Sequence, residues 1–122
     1  MDSLRRFFYH HWDHLVRATI YSCKGLRAVW RETAFRQETA VLLIISPLAC
    51  WLADSPLERI TLIGSWLLVM IVECLNCAIE AITDRVGTER HALSGQAKDA
   101  GSAAVFLAVL ASILTWLIVL CS

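Results

Sequence analysis

Four polar side chains in one stretch of this 122-residue sequence have the types and the spacing needed for chemistry. The intervals between them are three, four and four residues, in the order Glu73, Asn76, Glu80 and Asp84. At about 100° per residue, these intervals place all four on one face of an α-helix. Such a row can accept a proton, bind a divalent cation through its oxygens and orient its own members by hydrogen bonds.

The surroundings of this row are apolar, because Glu73 and Glu80 are the only charged residues in the stretch 60–83. Glu73 lies roughly 14 Å inside the polar end of the helix, at about 1.5 Å per residue. A carboxylate at that depth in a membrane costs about 2.5–3.5 kcal/mol, so it must face protein, water or a ligand. One such glutamate fits a structural hydrogen bond as well as a function, but the whole row favours function. Glu73 is predicted to be a general base near the lipid headgroups, and Glu80 and Asp84 are predicted to bind a divalent cation.

The elements that position this row are predicted to be membrane helices. Hydrophobic residues make up 57% of the chain, and the mean hydropathy is +0.58, whereas a soluble domain is usually about 45–50% apolar. Three apolar stretches, at about 35–53, 60–83 and 100–122, approach or exceed the roughly 20 residues that a spanning helix requires. We therefore expect an all-α membrane protein with a single membrane domain over residues 1–122 and a polar loop over residues 84–99.

Residues 1–33 have the periodicity of an amphipathic helix. On a helical wheel, Phe8, Trp12 and Leu15 fall on one side, whereas Arg17 and Lys24 fall on the other. A surface helix of a soluble core would show the same pattern. Beside three apolar stretches, the pattern favours a helix that lies in the membrane interface.

Charge composition and distribution narrow the function further. Eleven basic and eleven acidic residues give a net charge of zero, which excludes nucleic-acid binding driven by bulk positive charge. Seven basic residues precede residue 37 and three lie in residues 84–99, but only Arg59 lies between the first two apolar stretches. This asymmetry predicts a cytoplasmic N-terminus and a cytoplasmic 84–99 loop, with the C-terminus on the opposite side.

The common nucleotide-binding and hydrolase motifs of soluble enzymes are absent from the sequence. The sequence contains no G-x-x-x-x-G-K-[ST], no G-x-G-x-x-G and no G-x-S-x-G. If the protein uses ATP, the site must therefore be built from the ends of membrane helices.

Four segments give the sequence a resemblance to a known family. They are K-G-L-R-A at 24–28, A-F-R-Q-E at 34–38, M-I-V-E-C-L-N-C-A-I-E-A-I-T-D-R-V-G at 70–87 and L-S-G-Q-A-K-D-A-G-S-A-A-V at 93–105. From about Leu15 onward, the chain resembles the bacterial integral-membrane diacylglycerol kinases. The combination of the polar row with A-K-D-x-G-S-A is highly specific.

The resemblance implies an ATP-dependent, Mg²⁺-requiring lipid kinase of the inner (cytoplasmic) membrane. Such an enzyme phosphorylates diacylglycerol to phosphatidate as a homotrimer, with one surface helix and three spans per subunit and with sites between subunits. By this resemblance Glu73 is the general base, and Glu32 and Glu80 hold the metal. The implied nucleotide-binding residues are Arg17, Tyr21, Glu32, Glu80, Asp84, Glu89, His91, Lys98 and Asp99. The implied lipid-substrate residues are Ser22, Arg36, Glu38, Glu73, Asn76, Lys98 and Asp99.

Three other functions compete with this one. An undecaprenol kinase would share nearly all of these features, although the A-F-R-Q-E segment is closer to the diacylglycerol branch. A small proton-coupled transporter could use Glu73, but such transporters usually have four spans and lack a row of carboxylates that reaches the cytoplasm. A non-enzymatic accessory subunit would not need Lys98 and Asp99 opposite Glu80.

Overall fold

The residues that the structure describes form four α-helices and contain no strand. The computed structural model describes residues 2–87, 89 and 91–121. Thr88 and Arg90, both in the predicted 84–99 loop, lie outside the described residues. The helices are α1 (Asp2–Val29), α2 (Thr33–Leu52), α3 (Pro56–Val86) and α4 (Ala92–Cys121).

The chain divides into two compact units, residues 1–32 and residues 33–122. The first unit is α1, an uninterrupted helix of 28 residues. Arg17 forms an ion pair of 2.8 Å with Asp13 one turn earlier. The apolar side chains of Trp12, Leu15 and Leu26 are exposed. The predicted N-terminal helix is therefore confirmed, and its place in a membrane interface stays a prediction.

The second unit consists of α2, α3 and α4, and all three are long and apolar enough to cross a membrane. They contain 20, 31 and 30 residues. At a rise of about 1.5 Å per residue, each can span a hydrocarbon core of about 30 Å. The prediction of three membrane helices in an all-α protein is confirmed.

The last two helices extend beyond the apolar stretches seen in the sequence. Helix α3 begins at Pro56 because Ser55 caps it: the Ser55 hydroxyl accepts a hydrogen bond from the Glu58 N–H at 3.2 Å. Helix α4 begins at Ala92, eight residues before the predicted span. Hydropathy marks the apolar part of a helix, whereas the caps decide where the helix ends.

Helix α3 packs against both α2 and α4. At its beginning, which we call the Leu62 end, a small core of Ala49, Ala53 and Leu62 is buried. The Trp116 indole N–H donates a hydrogen bond of 3.2 Å to the Leu62 carbonyl. The other end of α3, which we call the Asp84 end, carries the polar row.

Candidate functional site

The polar row on α3 is graded from buried to exposed along the helix. Glu73 is 5% exposed and Asn76 is 8% exposed, although both are polar. Glu80, one turn further on, is half-buried, and Asp84 is exposed. A continuous helix thus connects a deep carboxylate to a carboxylate in contact with solvent.

Two contacts fix side chains within this row. The Asn76 amide donates from Nδ2 to Glu80 Oε1 at 3.3 Å. The Cys77 Sγ lies 3.9 Å from Glu73 Oε1, at the limit of a weak thiol hydrogen bond. Both pairs are four residues apart, so the helical repeat itself brings the partners together.

Helix α2 contributes a second carboxylate beside Glu73. The charges of Glu38 and Glu73 act on each other, and the Glu38 Oε2 atom is buried without a hydrogen-bond partner among the described residues. The Trp66 indole N–H donates to the Glu38 carbonyl at 2.9 Å and so ties α2 to α3 at this level. The structure therefore brings Glu38, which only the resemblance had singled out, within electrostatic range of Glu73.

Helix α4 supplies a cation at the Asp84 end. Lys98 forms a salt bridge with Asp84, and its charge also interacts with that of Glu80. Because α3 and α4 pack together here, one lysine lies opposite the two outer carboxylates of the row. Lys98 is the basic side chain best placed to meet an anion at this end of the described chain.

A polar cavity of about 510 Å³ opens between the end of α3 and the beginning of α4. Its lining residues are Thr83, Asp84, Gly87, Glu89, His91, Ala92, Ser94, Gly95 and Lys98. The His91 Nδ1 atom accepts a hydrogen bond of 3.2 Å from the Leu93 N–H, which orients the imidazole at the start of α4. Four of the predicted nucleotide residues, Asp84, Glu89, His91 and Lys98, thus line one cavity, while Asp99 is exposed and is not among its lining residues.

The remaining predicted residues lie at the beginning of the chain. Arg17, Tyr21, Ser22 and Glu32 belong to the first unit, and all four are exposed within it. Arg36, in the first turn of α2, donates a hydrogen bond of 3.3 Å to the Thr33 hydroxyl. The functional roles of these five residues stay predictions.

Acidic ligands for a metal are spread out rather than clustered. No group of three or more His, Cys, Asp or Glu side chains that could hold a metal ion occurs among the described residues. Glu80 remains the acidic group between the deep carboxylate and the cavity. A cation bound at Glu80 would complete its coordination shell with water or with the oxygens of a bound ligand.

Several contacts of this region involve residues that sequence reasoning did not select. Trp66, Cys77 and Thr83 each contact a member of the site or line its cavity. Cys77 and Thr83 could have been found from their helical spacing to Glu73 and Glu80. Trp66 has no such signal, because its contact with α2 depends on how the two helices pack.

Comparison with known proteins places this arrangement in a family. Residues 20–120 match the family described as prokaryotic diacylglycerol kinase. The chain belongs to the prokaryotic diacylglycerol kinase family. The matched segment contains the row on α3, Glu38 and the whole polar cavity, so the geometry described above lies within the family region.

Three relatives show how similar the chain is to individual members. It is 53% identical over 109 residues to the diacylglycerol kinase of Escherichia coli strain K12, covering 88% of this chain and 89% of that one. It is 48% identical over 104 residues to the diacylglycerol kinase of Haemophilus influenzae, with 84% and 88% covered. It is 47% identical over 107 residues to the diacylglycerol kinase of Pseudomonas aeruginosa, with 87% of each covered. The resemblance noted in the sequence is therefore confirmed, and the family is one of lipid kinases.

Proposed function

We propose that the protein transfers the γ-phosphoryl group of ATP to the free hydroxyl of diacylglycerol, giving phosphatidate and ADP. The observation that carries this proposal is the position of Glu73, a buried carboxylate connected by one helix to a polar cavity about three turns away. A lipid hydroxyl and a soluble phosphate donor can meet only at such a boundary. Membership of a lipid kinase family supports the same reaction.

In this reaction Glu73 accepts the proton of the attacking hydroxyl. The hydroxyl oxygen bonds to the γ-phosphorus, the bond between that phosphorus and the β,γ-bridging oxygen breaks, and ADP leaves. A positioned base of this kind usually contributes a factor of about 10²–10⁴ to the rate. Glu73 suits this role better than Asp84, because Asp84 is exposed at the far end of the row.

The polar cavity suits the phosphates of the nucleotide. It lies at the N-terminus of α4, where the backbone N–H groups and the helix dipole favour anions. Lys98 adds a positive charge, and it can exchange Asp84 for a phosphate oxygen. Glu89 and His91 line the same cavity and complete its polar wall.

Glu80 fits a magnesium site at this position. Its carboxylate is held by the Asn76 amide at 3.3 Å, and its charge lies between the deep Glu73 and Lys98. Magnesium commonly takes only one or two protein carboxylates and completes its shell with water and substrate phosphates, so a single acidic residue of this unit is sufficient. The family resemblance adds Glu32 as a second carboxylate. When bound, the ion neutralises charge on the phosphates.

We further propose that the protein is a homotrimer in the inner membrane, with its N-terminus and the Asp84 end in the cytoplasm and its C-terminus opposite. The distribution of basic residues supports this orientation. Glu80 is only half-buried within the three-helix unit, and each unsatisfied polar group in hydrocarbon costs several kcal/mol, so further helices from other copies are favoured around it. In this proposal, α1 lies in the interface between the membrane and the cytoplasm.

The decisive experiment is ATP-dependent phosphate transfer in mixed micelles. Purified protein is incubated with labelled ATP, magnesium and either diacylglycerol or undecaprenol, and a Glu73→Gln variant purified in parallel controls for contaminating kinases. We expect labelled phosphatidate from the wild type and at least about 100-fold less from Glu73→Gln. Labelling of undecaprenol in preference to diacylglycerol would transfer the proposal to that lipid, and labelling of neither lipid would refute it.

A second experiment tests the oligomer. Cross-linking and light scattering of the detergent-solubilised protein should give the mass of three chains. Activity carried by a dilute species with the mass of one chain would contradict the proposed trimer.

A further inference from the structure

Helices α3 and α4 make an unusually close approach where Gly101 meets Asn76. Gly101 is buried in α4, nine residues into that helix. A Cβ atom built on Gly101 would overlap Asn76 Oδ1 and would lie 3.4 Å from Asn76 Cγ. Only a residue without a side chain leaves room for the amide in its present position.

The Asn76 amide has a different environment at each of its two polar atoms. Nδ2 donates to Glu80 Oε1 at 3.3 Å, whereas Oδ1 faces Gly101 and is buried with no hydrogen-bond partner among the described residues. A buried oxygen without a partner is costly, so the Oδ1 atom contributes nothing that favours this orientation. The space above Gly101 and the bond to Glu80 are what hold it.

We propose that Gly101 is a positioning residue for the metal-binding carboxylate: the absence of its side chain sets the Asn76 amide, and the amide sets Glu80. The inference rests on the proposed function in assigning the metal to Glu80. Groups that hydrogen-bond to a ligating carboxylate commonly change metal affinity about 10–100-fold when they are removed. The backbone of α4 thus controls a ligand on α3 without touching the metal.

The contact predicts a selective defect for Gly101→Ala. The atom that the new methyl group would meet is the end of a flexible side chain, so Asn76 can rotate away while the helices stay packed. Alanine also favours a helix more than glycine does. We therefore expect Gly101→Ala to keep its thermal stability and to lose metal affinity.

The experiment measures Mn²⁺ binding to the full-length protein in detergent, in the presence of a non-hydrolysable ATP analogue. The electron paramagnetic resonance signal of free Mn²⁺ gives the dissociation constant without any turnover. We expect Gly101→Ala and Asn76→Ala each to weaken Mn²⁺ binding about 10-fold. Gly64→Ala is the matched control, because a Cβ at Gly64 meets nothing within 4 Å, and it should bind Mn²⁺ as the wild type does.

A double variant shows whether Gly101 acts through Asn76. In an Asn76→Ala background, where the amide is gone, Gly101→Ala should change the Mn²⁺ dissociation constant by less than twofold. Additive losses would overturn the inference, as would wild-type binding by Gly101→Ala. If Gly101→Ala alone does not fold, the double variant decides, since the missing amide leaves room for the methyl group. A double variant that folds and binds Mn²⁺ like Asn76→Ala supports the contact, and one that remains unfolded refutes it.

The proposed function and this inference can fail separately. A wild-type protein that binds Mn²⁺ but phosphorylates no lipid would refute the function and leave the Gly101 contact under test. A wild-type protein with full kinase activity whose Gly101→Ala variant binds Mn²⁺ normally would refute the inference alone.

Discussion

The two ends of the three-helix unit contain cavities of similar size but with different lining residues. The Asp84 end has a polar cavity of about 510 Å³. The Leu62 end has another of about 510 Å³ that is almost entirely apolar. Residues of α2, α3 and α4 line the second one: Val41, Ile45, Trp66, Ser112, Ile113, Trp116, Leu117, Leu120 and Cys121.

The two ends also differ in whether their buried polar atoms have hydrogen-bond partners. At the Leu62 end, the hydroxyls of Ser65 and Ser112 bond each other across α3 and α4 at 2.9 Å. The Trp116 indole is also paired, with a backbone carbonyl. Toward the Asp84 end, Glu38 Oε2 and Asn76 Oδ1 are buried without partners among the described residues. Buried polar groups that are all satisfied hold helices together, whereas unsatisfied ones mark the region where a ligand is expected.

The largest effect that this contrast predicts is at Glu73. Replacing Glu73 by glutamine keeps the shape but removes the base, so kcat should fall by about 10²–10⁴. Thermal stability and nucleotide affinity should stay near those of the wild type. The three quantities are to be measured in one detergent. A folded Glu73→Gln protein that turns over within a few-fold of the wild type would show that this carboxylate only joins helices.

The next effect concerns Glu80. In Glu80→Gln, the Asn76 amide still has an oxygen to bond, but the charge that binds the cation is gone. We expect the magnesium concentration for half-maximal activity to rise at least about 10-fold, with a parallel rise in KM for ATP. A magnesium titration of initial rates measures this. An unchanged magnesium requirement at wild-type activity would remove Glu80 from the metal site.

Lys98 should show a smaller and more selective effect. Lys98→Met removes a charge-assisted bond to phosphate, so KM for ATP should rise about 10-fold and by more than KM for the lipid does. Arg59→Gln is the control, because it removes one positive charge at the Leu62 end. Equal effects of the two substitutions would mean that Lys98 acts only through net charge.

The smallest effect is expected at the Leu62 end, where Ser65, Ser112 and Trp116 have hydrogen-bond partners. Ser112→Ala should lower the free energy of unfolding by only about 0.6 kcal/mol, the usual size of a hydrogen bond between membrane helices. The kinetic constants should not change. Thr115→Ala, which removes a hydroxyl bonded within its own helix at 2.8 Å, controls for the loss of a polar group. A kinetic defect in Ser112→Ala but not in Thr115→Ala would contradict the claim that the Leu62 end contributes only to stability.

Local periodicity made much of this arrangement predictable. The three membrane helices follow from apolar length, and the row on α3 follows from intervals of three and four residues. The helix boundaries do not follow, because α3 continues to Val86 and α4 begins at Ala92 through polar sequence. There the backbone hydrogen bonds and caps decide the boundary rather than hydropathy.

Contacts between helices were the part that the sequence left open. Nothing in the spacing of Glu38 shows that its charge acts on Glu73, and nothing near Trp66 shows that its indole reaches α2. An isolated glycine inside a helical stretch, such as Gly101, signals a packing reason without naming the neighbour. These facts depend on which faces of the helices meet, and one chain's periodicity does not specify that.

The order of the helices has a consequence for the synthesis of the chain. Only residues 53–55 separate α2 from α3, and α3 packs on the helix before it and on the helix after it. Helices that are neighbours in sequence form their contacts early, because only a short loop has to close between them. Because the N-terminal part leaves the ribosome first, α2 and α3 can pair while α4 is still being made. Gly101 then reaches Asn76 late, so this contact of the polar row forms only after α4 has been made.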